Sequence, residues 1–499
     1  MKKFLSVFVS VLFACALPLT LAGCSESAET VVLRVCSWEE YIDLGDWDEG
    51  EIIDLESGDI FGKNSMVDDF TEWFNSKYDF KVKVEYSTFG TNEDLYNRLS
   101  LGDEYDLVCP SDYMIMKLLA EEKIQKYSPR FFEENDENHY DNFVSPYIKN
   151  MFENYGWDEY AACYMWGTTG LVYNPEKIEN TADVSTWKIL SDENYKRQVT
   201  IKDNVRDAYF ATLGIINGEE LKAGVGDGRR SELLNDTDNA TIAKAEDVLK
   251  QIKENVYSFE TDAGKSDMVT GKVLANYQWS GDAVYIMDEA ESDDSETELW
   301  YSVPDECTNL WFDGWVMLKD GIGGNEQKQT AAEAFVNFLS RPDNAVRNMY
   351  YIGYTSAIAG DMVYDYMEWN YGAEEEAEET LEYDLSYFFG GERILTADAA
   401  DFGRDGEKIN RGRQLFAQYP PQNVIDRSVV MLDFGDKLGE INQMWINVRC
   451  LDLKDISPAV IGITAAVIGV IVIAVLLYAF RYKLFINYKP KKGYEKSDK

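Results

Sequence analysis

Aromatic rings and carboxylates recur side by side along this chain. Ser37-Trp38-Glu39-Glu40-Tyr41 follows the β-forming run 31–36, and Pro110-Ser111-Asp112-Tyr113 follows 106–109. Asp203-Asn204-Val205-Arg206-Asp207 follows 199–202, and Tyr277-Gln278-Trp279-Ser280-Gly281-Asp282 precedes a helical stretch. Trp311-Phe312-Asp313 lies inside an apolar run, and Ile352-Gly353-Tyr354-Thr355 ends another helical stretch. Ligands of α/β sheets bind beyond the carboxyl ends of strands, so these are the positions that bear on chemistry. No nucleophile stands beside a base in any of them. A single Trp or Tyr, taken alone, is an ordinary core residue. Asp313 is different, because an acid inside an apolar strand is rarely buried without a partner.

Carboxylates next to aromatic faces suit a cation with an apolar stem. An aliphatic polyamine has ammonium groups joined by methylenes. Its ends need carboxylates and its stem needs apolar walls. Charge-assisted hydrogen bonds contribute roughly 1.5–3 kcal/mol each. A cation over a ring adds about 0.5–2 kcal/mol, and each buried methylene about 0.8 kcal/mol. Together these reach about micromolar affinity or better once immobilisation is paid.

The elements that must position these residues alternate. Runs 31–36, 81–87, 106–111, 169–174, 199–203 and 311–318 read as strands. Runs 62–78, 92–100, 112–122, 205–216, 240–254, 282–291 and 327–340 carry helical spacing. Such alternation predicts α/β lobes with a largely parallel sheet. Residues 43–62 and 374–384 are acidic and aperiodic, and read as surface insertions. With 499 residues, the chain has room for about three domains or one large bilobed body.

Charge and composition exclude several classes. Lys and Arg number 47 against 90 Asp and Glu, a net charge of −43, which argues against a nucleic-acid partner. It also gives a field that concentrates cations. His139 is the one histidine, so neither a multi-histidine metal site nor a Ser-His-Asp triad is expected. Cys36, Cys109, Cys163, Cys307 and Cys450 are scattered with no Cys-x-x-Cys spacing. Cys36 and Cys109 read as buried free thiols.

Both ends carry membrane signals. Met1-Lys2-Lys3 precedes an apolar stretch ending in Leu21-Ala22-Gly23-Cys24, the pattern of a secretory signal (1–24) with a bacterial lipobox and Cys24 as the acylated residue. Residues 459–480 carry no charge. At ~1.5 Å per residue they reach ~33 Å, enough for a transmembrane helix over 458–480. The basic tail 481–499 is then cytoplasmic, and residues 25–457 lie outside the cytoplasm.

Over residues 31–449 the chain resembles the bacterial spermidine/putrescine-binding proteins of ABC transporters. The ordered motifs Trp-x-x-Tyr, Pro-Ser-x-Tyr, Trp-Gly-x-Thr-Gly, Asp-x-x-Arg-Asp, Trp-Ser-Gly, Trp-x-Asp and Ile-Gly-Tyr carry the likeness. The resemblance implies a two-lobed clamp of the type II periplasmic-binding-protein kind, with crossover strands. Lobe 1 would comprise 25–163 and 312–360, and lobe 2 would comprise 164–311 and 361–457. It further implies a polyamine ligand, with Trp38 and Tyr41 flanking an amine and Glu40 beside them. Ser111 and Tyr113 would be second-strand contacts. Asp207 would be a terminal carboxylate, Asp313 the central one, and Trp279, Trp311 and Tyr354 walls. An ABC permease and its ATPase would be the partners, with no enzymatic activity and no cofactor. Asn204 and Met431 depart from the family pattern and bear on which polyamine is taken. Kept open beside this are a receptor for ferric iron, suggested by Tyr350-Tyr351, or for a sugar or another cation on the same clamp. A membrane-tethered acid/base hydrolase is the reading from a different class.

Overall fold

The structure, a computed structural model, describes residues 30–450 apart from 49, 134, 293–296 and 406–407, together with 466–478 and 480. The predicted signal segment, Cys24 and the basic tail lie outside the described residues.

Val31, Leu33 and Val35 alternate inward along β1 (Thr30–Trp38). Met66, Phe70 and Phe74, four apart, bury one face of α1 (Met66–Lys77), and the Ser65 hydroxyl caps it by accepting the Asp68 N–H at 3.1 Å. β2 (Lys81–Phe89) and β3 (Leu107–Val108) flank β1, both parallel to it. α2 (Asp112–Ala120) follows β3 closely. β4 (Ala161–Tyr173) is buried along its whole length. β5 (Val199–Lys202) leads through the Asn204 cap into α3 (Val205–Ile216). Then come β6 (Ser258–Glu260), β7 (Ala275–Trp279), α4 (Ser280–Ser292), β8 (Trp300–Ser302) and β9 (Thr308–Leu318). α5 (Pro342–Ile352) packs on the helix Asp361–Tyr371.

The sheet has two halves. The order β2–β1–β3–β9–β4 makes one, and β6–β5–β7–β4–β8 the other. β4 is common to both, and β9 runs antiparallel beside it where the two α/β lobes join. One core gathers around Leu33, Phe70, Ile115 and Phe335, the other around Leu171, Trp187, Leu213 and Leu249. Residues 361–425 touch both halves. Their strand Lys408–Gly412 extends the second half through β8, whereas Phe388 and Tyr419 pack against Trp166 of the first core.

Several expectations need correction. The sheet is mixed rather than largely parallel, because β4 and β9 run antiparallel to their neighbours. β4 begins at Ala161, not near 169, so Trp166-Gly167 lies mid-strand; a strand buried on both faces has no alternation to mark its start. Residues 43–62 are a packed cover rather than a surface loop. Trp47, Ile53, Leu55 and Ile60 are buried, and Ile53 pairs with Ile60. Asp43 is fully buried beneath them, paired with Arg347 of α5.

The helix Leu438–Arg449 packs on Asn239–Asn255 of the second lobe. Lys253 Nζ donates to the carbonyls of Val448, Arg449 and Cys450 at 2.5, 3.3 and 3.0 Å. Among the described residues no helix is long and apolar enough to cross a membrane. Residues 466–478 are helical with exposed apolar side chains, and most of the rest of the predicted span 458–480 lies outside the described residues.

Candidate ligand-binding cleft

Each lobe sends strand ends toward one cavity of ≈ 560 Å³. It brings together all ten residues singled out from the sequence. Trp38, Glu40 and Tyr41 come from the end of β1, and Ser111 and Tyr113 from the start of α2. Asp207 comes from α3, Trp279 from β7, Trp311 and Asp313 from β9, and Tyr354 from the turn after α5. Asn204 and Met431 line it too. The Asn204 side chain is spent on capping α3, accepting the Arg206 N–H at 2.8 Å.

Asp313 is placed by a β-bulge. The register of β9 against β4 shifts between Asp313 and Gly314, and such shifts re-aim a side chain out of its strand's alternation. The carboxylate is 5% exposed. Oδ2 accepts the Tyr41 hydroxyl at 2.7 Å, and Oδ1 has no hydrogen-bond partner among the described residues. Burial pushes its pKa up to about 6, against the opposing pull of the nearby Ser111 and Tyr41 hydroxyls. Asp207, buried on α3, is likewise raised to about 6 by burial, offset by the nearby Lys202 charge and the Trp279 indole N–H. Asp112, which the sequence did not single out, accepts the Phe312 N–H at 3.2 Å. Burial raises it to about 8, with the Asp313 charge adding to the rise.

The walls are rings. Tyr41 meets Tyr354 edge-on at 5.0 Å between centroids, and Trp311 lies 5.8 Å from Tyr354. Trp38 packs on Phe89 at 4.7 Å. Two glycines make room for this. A Cβ on Gly281 would fall 2.2 Å from the Tyr354 ring, and one on Gly167 would fall 2.6 Å from that of Trp311. Glu40 holds a left-handed backbone, φ 51°, a costly conformation for a residue with a side chain. It is exposed at the cavity rim. Arg206, from the second lobe, lies over the Tyr113 ring of the first at 4.5 Å.

Arg206, which the quoted Asp-x-x-Arg-Asp run contains, lines the cavity; the sequence missed two lysines. Lys265 lines the cavity. Lys202, fully buried, sits behind Trp279 with Nζ 3.9 Å from the ring centroid. Asp282, in the quoted Trp-Ser-Gly-Asp run, signalled its own place; Lys202, the last residue of a strand, gave no sign. Tyr350 and Tyr351 do not converge on the cavity as a pair. Tyr351 lines its rim, while the Tyr350 hydroxyl donates to Glu51 at 3.1 Å.

Two lobes, a shared strand and one cleft between them are the architecture of a solute-binding protein. The chain belongs to the bacterial extracellular solute-binding protein family, whose model matches residues 65–360. It is 25% identical over 347 residues to the putrescine-binding periplasmic protein SpuD of Pseudomonas aeruginosa, covering 67% of this chain and 81% of the relative. It is 27% identical over 275 residues to the spermidine/putrescine-binding periplasmic protein of Salmonella typhimurium, 55% of this chain and 70% of the relative. The spermidine/putrescine ABC transporter substrate-binding protein PotD of Streptococcus pneumoniae shares the fold. The TM-score is 0.54 at 22% identity, over 84% of this chain and 98% of that one.

Proposed function

We propose that this protein captures an aliphatic polyamine, putrescine or spermidine, outside the cytoplasm and delivers it to the permease of an ABC importer powered by an ATPase. The observation that carries this is Asp313, a buried carboxylate with one oxygen free, set among Tyr41, Trp311 and Tyr354. The names of the relatives point the same way. Asp313 grips one ammonium and Asp207 another. Trp38, Tyr41, Tyr113, Trp279, Trp311 and Tyr354 wall the methylene stem, and Ser111 and Glu40 add polar contacts. Residues 25–163 with 312–360, and 164–311 with 361–457, act as the two jaws of a clamp that ligand closes. A lipid on Cys24, a spanning segment over 458–480, or both, tether it; the exposed apolar side chains of 466–478 favour the second.

A thermal-shift panel on the purified protein tests the reading. Putrescine, spermidine, spermine and agmatine are set against sugars and Fe³⁺. A ligand at a hundred times its Kd stabilises the folded state by about 2.7 kcal/mol. Protection by the amines alone is expected. Protection by a sugar or Fe³⁺ alone would overturn it.

Affinity should also depend on pH. Asp313 and Asp207, both near 6 without ligand, must shed any proton to bind a cation. Between that range and the ionisation of Asp112 near 8, both are ionised and affinity is level. Below that range, each costs about tenfold per pH unit. Calorimetry should find binding weakened about a hundredfold at pH 5 relative to pH 7.5. A flat profile would contradict the assignment of both carboxylates.

A further inference from the structure

The cleft's buried carboxylates are not equivalent. Asp313 keeps Oδ1 unpartnered, and Asp207 makes no ion pair among the described residues. Asp282 is already occupied. Its Oδ1 accepts the Tyr354 hydroxyl at 2.9 Å and lies 3.1 Å from Lys265 Nζ. Its Oδ2 accepts no hydrogen bond among the described residues but is ion-paired with Lys202, Nζ lying 3.6 Å away. Lys202 Nζ also donates to the Thr261 carbonyl at 3.1 Å and covers the Trp279 ring. A protein ammonium thus makes there the contacts that a ligand ammonium would make, one carboxylate and one indole face. A further cation approaching Asp282 would meet two like charges in a poorly solvated corner, where repulsion is strong. The remaining acids at that side are weaker. Asp262 is mostly exposed and 3.8 Å from Lys265, and the rim carboxylate of Glu40 is exposed, where ion pairs contribute little.

We infer that Lys202 and Lys265 make this a two-ammonium site, selecting a diamine over a triamine. The inference rests on the polyamine reading and deepens it. Asp313 and Asp207 take the two ends of the ligand, and the Asp282 corner repels a third.

The test is calorimetry on the full-length protein with 1,4-diaminobutane and spermidine, comparing wild type with Lys265→Gln. Lys265 is only partly buried, so that variant keeps the fold; Lys202→Met, at a fully buried position, serves as the stronger variant if it folds. The wild type should bind the diamine at least about tenfold tighter than the triamine. Lys265→Gln should raise triamine affinity about tenfold and change diamine affinity less than about threefold. A wild type that prefers spermidine, or a variant that shifts both ligands equally, overturns the inference while leaving the polyamine reading standing. Failure of the wild type to bind either amine overturns that reading as well.

Discussion

Asp313→Asn will strip the cleft of most of its affinity for a diammonium ligand and will make the ligand-free protein harder to unfold. The first effect follows from the free Oδ1 on a carboxylate that is almost entirely buried. A charge-assisted hydrogen bond contributes roughly 1.5–3 kcal/mol, or about 10- to 150-fold in Kd. The asparagine amide would also turn N–H groups toward the ammonium. The second effect follows from burial. The folded-state pKa near 6 lies above the value of about 3.9 in an unfolded chain. Between those values the unfolded chain gives up its proton while the folded one keeps it. Stability therefore falls as pH rises through that window, and the deficit of about 3 kcal/mol persists at every higher pH. Asparagine carries no such charge. Calorimetric titration with putrescine and differential scanning at pH 7.5 check both halves. Unchanged affinity together with a lower Tm would contradict the role given to this carboxylate.

Arg347→Met should be the most damaging substitution outside the cleft. Arg347 is 4% exposed. Its guanidinium donates to Asp43 and to the Asn64 carbonyl, and reaches Asp69 Oδ2 at 2.7 Å. Asp43 in turn accepts the Gly45 N–H at 2.7 Å and the Trp47 indole N–H at 3.2 Å. Removing the arginine leaves Asp43 charged and buried with no counter-ion, a change that costs about 3–5 kcal/mol. Urea unfolding should show that loss, and Asp43→Asn in the same chain should return part of it. Equal stability of the single and double variants would mean that the pair does not hold the 43–62 cover in place.

What the sequence let one see depended on how regular each element is. The helix Val205–Ile216 was legible to the residue from the apolar spacing within it. The cleft was legible because strand ends are where α/β folds place ligands, and those ends carry paired rings and acids. The 43–62 cover was not. Its stabilising partner, Arg347, lies some 300 residues further on, and no local pattern announces a pairing at that distance. The start of β4 was hidden by uniform burial. Lys202 was hidden because its charge reads as solvent-facing until the fold tucks it beneath an indole.

The strands at which the two lobes join also bear on how a guest is taken in. A pair of ribbons already hydrogen-bonded to each other flexes like a leaf spring, so the least displaced point lies along the ribbons themselves. Asp313 sits there, at the irregularity in β9, whereas Trp38 and Asp207 belong to the two bodies that the proposed clamp would bring together. In such an arrangement the first charge to be met stays in one place whether the jaws are apart or together. In the proposed clamp, docking at this point would come first and closure of the jaws would follow.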